Sequence, residues 1–324
     1  MRLRLVRDNT NFDFFARPKL WLGISGVMMI VALISFAIQG LNYGIDFQGG
    51  TTIRTESSQP VDVASYRAAL EPLELGDISI TEVFDPNFRE DQFVSQIRIQ
   101  AQEGEEAASG YMIAAVADAL SAVDNGLVLP FPAVDSVGPT VSGELIQTAA
   151  IAVVLAILAV LIYIWLRFEW QFAVGAVAAL VHDVVLTIGV FSELQIRFDL
   201  AIIAALLTIV GYSLNDTVVV FDRVRENLRR YKKKDLKEVL NLSINETLSR
   251  TFMTSVTTLL ALISLFVLGG DVIRGFVFAM IWGVIVGTYS SIFVASATLL
   301  ALGVKRDWSK PTDEGGTQFG NTDA

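Results

Sequence analysis

Cysteine is absent from this chain of 324 residues, and histidine occurs once, as His182. The first absence excludes disulfides, thiol catalysis and cysteine-ligated metal. The second excludes a metal centre built on several histidines, so no metal or other cofactor is expected. No nucleophile–base constellation and no phosphate-binding loop is present. An enzyme is therefore the least expected class, and any energy must come from ion gradients or from another subunit. Charge is scarce too: 18% of residues are charged against 53% hydrophobic, and the mean hydropathy is +0.54. That is a membrane composition. The formal net charge is −10, but the basic residues lie beside the apolar runs, so no nucleic-acid partner is expected.

Runs of about 20 apolar residues are needed to cross a hydrocarbon core of about 30 Å. Six qualify, at 20–38, 145–166, 170–192, 200–221, 252–268 and 275–302. The first follows Arg17-Pro18-Lys19 and alone resembles a signal peptide with Ser35-Phe36-Ala37 as a cleavage cue; its length and the five later runs favour a span. Orientation follows from Lys and Arg. With the N-terminus in the cytoplasm, 18 basic residues lie inside, among them Arg2, Arg4 and Arg7, and six lie outside. Both termini are then cytoplasmic, and residues 40–140 form an exported domain.

That domain carries 16 acidic residues against four basic ones. TTIRTES alternates as a strand, and VDVASYRAALEPL has helical spacing with Asp62 as its N-cap. ISITEVF and FVSQIRIQA alternate as two further strands around the turn residues Asp85-Pro86-Asn87. SGYMIAAVADALSAV reads as an amphipathic helix, and LVLPFPAVDSV as a Pro-interrupted edge strand. Strand, helix, strand, strand, helix, strand is the ferredoxin-like split arrangement. The fold class expected is thus a polytopic α-helical membrane protein of six spans, with one α+β ferredoxin-like periplasmic domain between spans 1 and 2. Residues 1–19 form the cytoplasmic N-terminus, 20–38 the first span and 141–302 the other five. Within the last, residues 222–250 form a cytoplasmic connection, with an amphipathic helix expected in its middle. The tail 303–324 is polar, Gly-rich and expected to be disordered.

Chemistry concentrates inside the spans. Asp216 is flanked by apolar residues, with Asn215 and Thr217 as its polar neighbours, and an ionised Asp at a membrane helix centre costs about 2.5–3.5 kcal/mol on insertion scales. It lies seven residues, or about 10 Å, before Arg223. Ser213, Asp216, Thr217 and Val220 share one helical face. Two readings stand: a polar cluster that glues helices together, or a proton- or ion-handling carboxylate. Arg250 opens the fifth span and is followed by Thr251, Thr254, Ser255, Thr257 and Thr258, a hydroxyl-lined face suited to holding water. Position alone leaves it either snorkelling to the interface or reaching toward Asp216. His182 and Asp183 are a second intramembrane ionisable pair, read as a secondary relay or as packing. Gly283, Gly287, Ser291 and Ala295, like Gly175 and Ala179, recur at four-residue intervals and predict close helix contact. Gly138-Pro139 and Ser142-Gly143-Glu144 mark either a hinge or a helix start.

Four ordered motifs resemble those of the SecD/SecF family. Tyr43-Gly-Ile-Asp-Phe-Gln-Gly-Gly-Thr51 is similar to its membrane-proximal G-x-D-F-x-G-G signature, carried here by Asp46, Phe47, Gly49 and Gly50. Val137-Gly-Pro-Thr-Val-Ser-Gly-Glu-Leu145, with Gly138 and Pro139, resembles its second-span entry. Residues 211–227 look like the fourth-span signature of the SecF branch, and Asn245-Glu-Thr-Leu-Ser-Arg-Thr251 completes the set. The resemblance covers about residues 15–305. It implies a subunit in the bacterial inner membrane that pairs with a SecD-like subunit and assists the Sec translocon channel and its ATPase in moving unfolded preprotein. It further implies proton-driven movement of the exported domains, with Asp216 and Arg250 at the proton-conducting positions. Asn215, Thr217, Thr254, His182 and Asp183 are secondary candidates on the reading of the residues themselves, as polar groups inside the spans. Asp216 would accept a proton from the exported side and its pairing with Arg250 would weaken. A stand-alone proton-coupled exporter of small molecules or lipids and a structural assembly factor are the rival classes.

Overall fold

The computed structural model describes residues 10–76, 78–86, 88–100 and 110–304. The expectations for Arg2, Arg4, Arg7 and Asn87, and for the tail from Lys305 onward, lie outside the described residues. Among the described residues, six helices are long and apolar enough to cross a membrane. The first, α1 (Pro18–Gln39), starts on a proline, which suits a first-turn position whose N–H has no helical partner, and it ends at Gly40.

A one-turn helix, α2 (Ile45–Gln48), leads into β1 (Gly50–Ser57), α3 (Val63–Leu70), β2 (Ile78–Val83), β3 (Phe93–Gln100), α4 (Gly110–Ser121) and β4 (Ala133–Val137). Spatial order is β2-β3-β1-β4 with every pairing antiparallel. This is the split arrangement expected from the element order. One face of the sheet carries α3 and α4, and Ile53, Ile80, Ile97, Ile99, Tyr66, Leu70, Val116 and Leu120 are buried between them. Each large apolar side chain so buried contributes about 1.5–3 kcal/mol. Asp62 caps α3, accepting the N–H of Ala64 at 3.0 Å. The edge strand begins only at Ala133, after Pro130 and Pro132, because proline cannot donate to the ladder.

From β4 the chain enters α5 (Pro139–Arg167) directly, with Gly138 as N-cap. Then follow α6 (Trp170–Glu193), α7 (Leu200–Arg230), α8 (Leu236–Leu268), α9 (Asp271–Ser290), a π-helical turn Ser291–Ala295, and α10 (Ser296–Leu302). The central helix is α6, packed against α1, α5, α7 and α9. The small-residue stripe makes the predicted close contacts: a Cβ at Gly283 would meet the Ile209 side chain at 2.3 Å, and one at Gly175 the Ala295 carbonyl at 3.0 Å.

The stretch 222–250 departs from expectation. Its middle is a turn at 231–235, not an amphipathic helix, and both flanks continue α7 and α8 as a helical hairpin. The reason is tertiary. Asn227 donates to Ser243 at 3.1 Å and to Glu246 at 2.6 Å across the hairpin. The side-chain oxygens of Asn241 and Asn245 accept the backbone N–H groups of Phe14 and Phe12, each at 2.9 Å, strapping the segment before α1 onto α8.

Candidate functional site

Helix α7 places the candidate carboxylate. Asp199 caps its start, accepting the Ile202 N–H at 3.3 Å, and no proline interrupts its 31 residues. Its buried positions run Ile202, Ala205, Leu206, Ile209, Val210, Ser213, Asp216, Thr217, Val220, Phe221, a 3.6-residue stripe turned to the bundle interior. Asp216 is 4% exposed, and its Oδ2 has no hydrogen-bond partner. Asn215 lies on the opposite, exposed face and is not brought to the site.

The direct Asp216–Arg250 pairing expected from the sequence is not made. Arg250 is exposed, and no contact between the two groups falls within ion-pair distance. It lines a cleft of about 530 Å³ at the end of the bundle away from the α+β domain, with Arg167, Asp222, Arg223, Glu226 and Glu246. There Arg223 pairs with Glu226 at 2.6 Å and with Glu246 at 2.7 Å, and Arg167 with Asp222 at 3.7 Å. Holding the guanidinium in this polar cleft avoids the several kcal/mol per ion of desolvation that a buried pair must recover. Val218 and Val219, on the turn after Asp216, also line the cleft, so little more than one helical turn separates it from the carboxylate.

Thr254 is likewise spent elsewhere, donating to the Thr251 carbonyl of its own helix at 2.9 Å. Thr251 is buried with an unpartnered hydroxyl, like Asp216 Oδ2. Ser255 is within hydrogen-bond distance of Thr288 on α9, at 2.7 Å.

A buried polar network centres on α6 and reaches α7 and α9. His182 and Asp183 are each 1% exposed. Asp183 Oδ2 accepts from Ser213 of α7 at 2.6 Å and from Ser290 of α9 at 2.8 Å, while Oδ1 lies 3.0 Å from His182 Nδ1. His182 stacks on Tyr289, with ring centroids 6.0 Å apart, and its Nε2 has no partner. Ser213, the α7 donor to Asp183 of α6, sits one turn before Asp216 on the same buried face of α7. Ser290 was not singled out from the sequence; its only signal was a hydroxyl inside a small-residue stripe. The π turn that begins at Ser291 lets consecutive serines, 290 and 291, both face inward, each 0% exposed. Among the described residues no group of His, Asp and Glu is placed to hold a metal ion.

The signature residues serve the junction between sheet and bundle. Asp46 Oδ2 accepts the N–H of Leu200 at 3.0 Å. Phe47 is buried against Phe191, Phe198 and Ile202. Gly49 and Gly50 have φ of 73° and 123°, a region that favours glycine. Gly138 is the N-cap of α5 and Pro139 its first residue, the arrangement that the helix-start reading expects.

Comparison with known proteins gives a consistent picture. Residues 115–305 match the family described as "Protein export membrane protein SecD/SecF, C-terminal", and residues 34–61 match the "SecD/SecF GG Motif". A protein of Cereibacter sphaeroides named "Protein translocase subunit SecF" is 58% identical over 100% of this chain and 99% of its own. One of the same name from Rickettsia rickettsii is 41% identical over 96% and 98%. The crystal structure of SecDF from Thermus thermophilus, described as a translocon-associated membrane protein, matches at 35% identity with a TM-score of 0.80 over 93% of this chain. A SecDF structure in a "Super-membrane-facing form" matches at the same identity and coverage with a TM-score of 0.68. This chain spans 40% of the length of each of those solved chains.

Proposed function

The chain belongs to the SecF branch of the SecD/SecF family of protein export membrane proteins, and from that premise we propose that it couples the proton gradient across the bacterial inner membrane to Sec protein export. The observation that carries this reading is Asp216, a nearly fully buried carboxylate with an unpartnered oxygen, one helical turn from the Ser213–Asp183 bond. The Lys and Arg distribution supports both termini in the cytoplasm and the α+β domain on the exported side.

A proton entering from that side meets the His182–Asp183–Ser213–Ser290 layer first and Asp216 beyond it. Protonation removes the charge that Arg250 attracts; deprotonation toward the cleft restores it and draws the guanidinium inward. Each charge moved down a potential of 100 mV supplies about 2.3 kcal/mol. That is close to the cost of an ionised carboxylate in a membrane helix, so the gradient is of a size to switch its protonation and with it the packing of α7 against α8. A SecD-like subunit supplies the remaining part of the assembly, since SecDF spans both in one longer chain. The translocon channel, its ATPase and unfolded preprotein are the further partners; none of this calls for a nucleic acid.

The test is Asp216→Asn. The variant is expected to assemble at parent levels and to lose the stimulation of preprotein export by a proton gradient in membrane vesicles. Export at the parent rate under an intact gradient would mean that the carboxylate carries no proton and that a structural role is the better account.

A further inference from the structure

The stem between α1 and the sheet grips the start of the helix that carries Asp216. Its residues pair with the α6–α7 loop through the backbone: Gly44 donates to the Phe198 carbonyl, and Phe198 to the Asn42 carbonyl, both at 2.8 Å. The rings of Tyr43, Phe47 and Phe198 lie 6.0–6.3 Å apart, and the latter two are buried. A Cβ on Gly44 would come to 3.2 Å from both Arg197 and Asp199, which shows how closely the stem lies against the loop.

From this platform Asp46 reaches the Leu200 N–H, the first of α7. The opening N–H groups of a helix have no partner within it and carry its positive end. Two carboxylates serve them here: Asp199 belongs to the flank of α7 itself, and Asp46 comes from the stem. On its other side the stem has no slack. Asp46 stands four residues before Gly50, which pairs with Gln100 on β3 and with Val137 on β4. Arg98 of β3 also donates to the Tyr43 carbonyl at 3.4 Å. Between Leu200 and Asp216 α7 is unbroken, a rod of about 24 Å at 1.5 Å per residue. A shift of α7 at the carboxylate therefore arrives at the bond to Asp46.

We propose that Asp46 is a positioning residue that couples α7 to the α+β domain, so that displacement of the helix is transmitted through its capped N-terminus into the sheet. This rests on the function proposed above, and the experiment separates the two. Because the chain has no cysteine, Tyr111→Cys on α4 and Val267→Cys on α8, both exposed, can carry spin labels with no background from this chain; it is labelled before it is combined with its partner. Their separation is measured by pulsed electron resonance in proteoliposomes of the complex with the SecD-like subunit, with and without an imposed proton gradient. Asp216-dependent proton uptake is recorded on the same samples.

The labelled parent is expected to show a gradient-dependent shift in distance. Asp46→Ala loses that shift while keeping proton uptake, and Asp46→Asn, whose amide oxygen still caps, restores it. An Asp46→Ala protein whose labels move as in the parent overturns the proposal. So does one that loses uptake together with movement, which indicates a general structural defect. Labels that stay still in a parent that takes up protons overturn the coupling alone; a parent with no Asp216-dependent uptake overturns the proposed function and the coupling with it.

Discussion

Replacing Asp183 separates the packing role of the buried network from its role in proton handling. The carboxylate holds together α6, α7 and α9 through Ser213 and Ser290, with His182 on its other oxygen. Asp183→Leu leaves the Ser213 hydroxyl without its acceptor, whereas Ser290 can fall back on the Gly287 carbonyl, already 3.2 Å away. A buried polar group left unsatisfied costs about 1–3 kcal/mol. One hydroxyl and the imidazole are stranded, so the Leu variant is expected to lose about 2–6 kcal/mol. Asp183→Asn differs: its amide oxygen still accepts from both serines and its NH₂ can face the imidazole, so the loss is about 1 kcal/mol. Thermal unfolding of the purified complex should rank parent, Asn and Leu in that order, with Asn near the parent. In vesicles, by contrast, Asn should export preprotein at the gradient-independent rate, since it offers no titratable oxygen. An Asn variant that keeps full gradient stimulation refutes the relay role of Asp183. A Leu variant as stable as Asn refutes the hydrogen-bond reasoning.

Two further outcomes are expected in the α+β domain. Gly50→Ala forces a side chain onto a residue with φ of 123° and should cost about 1–3 kcal/mol, read as faster proteolysis of the domain in the full chain; unchanged protection would show that the strand start relaxes without strain. Tyr66 donates to Asp124 Oδ2 at 2.5 Å, and burial together with that carboxylate holds its phenol above the ordinary value. The pair's contribution is thus fully present below about pH 10, the ordinary phenol value, and falls as the pH rises above it. Tyr66→Phe should be less protected than the parent at neutral pH, and the difference should shrink in strong alkali; a pH-independent difference would exclude the phenol as its cause.

The parts of this molecule legible in the sequence are those governed by periodicity and composition. A period of two gave β1 and β3, and Asp62 stands as the cap expected where a short polar residue precedes a helical run. The face shared by Ser213, Asp216 and Thr217 needs only helical geometry. What was not legible depends on partners distant in the chain. The extension of α7 and α8 into a hairpin rests on Asn227 meeting Ser243 and Glu246, and nothing local signals it. Asn215 adjoins Asp216 in sequence, yet points away because neighbours in a helix diverge by about 100°. Arg250 is placed near Asp216 by its position, but whether it reaches inward or into the cleft is a choice of side-chain conformation set by solvation. Ser290 depended on a π turn whose extra residue shifts the register of the last span.

If Asp216 carries a proton, proton flux through the membrane reports it directly. Proteoliposomes containing the complex of this chain with its SecD-like partner, loaded with a pH-sensitive dye, would be given an imposed gradient and followed for proton entry. The parent is expected to conduct and the Asp216→Asn complex to conduct no faster than empty liposomes. Equal flux in the two would contradict the account.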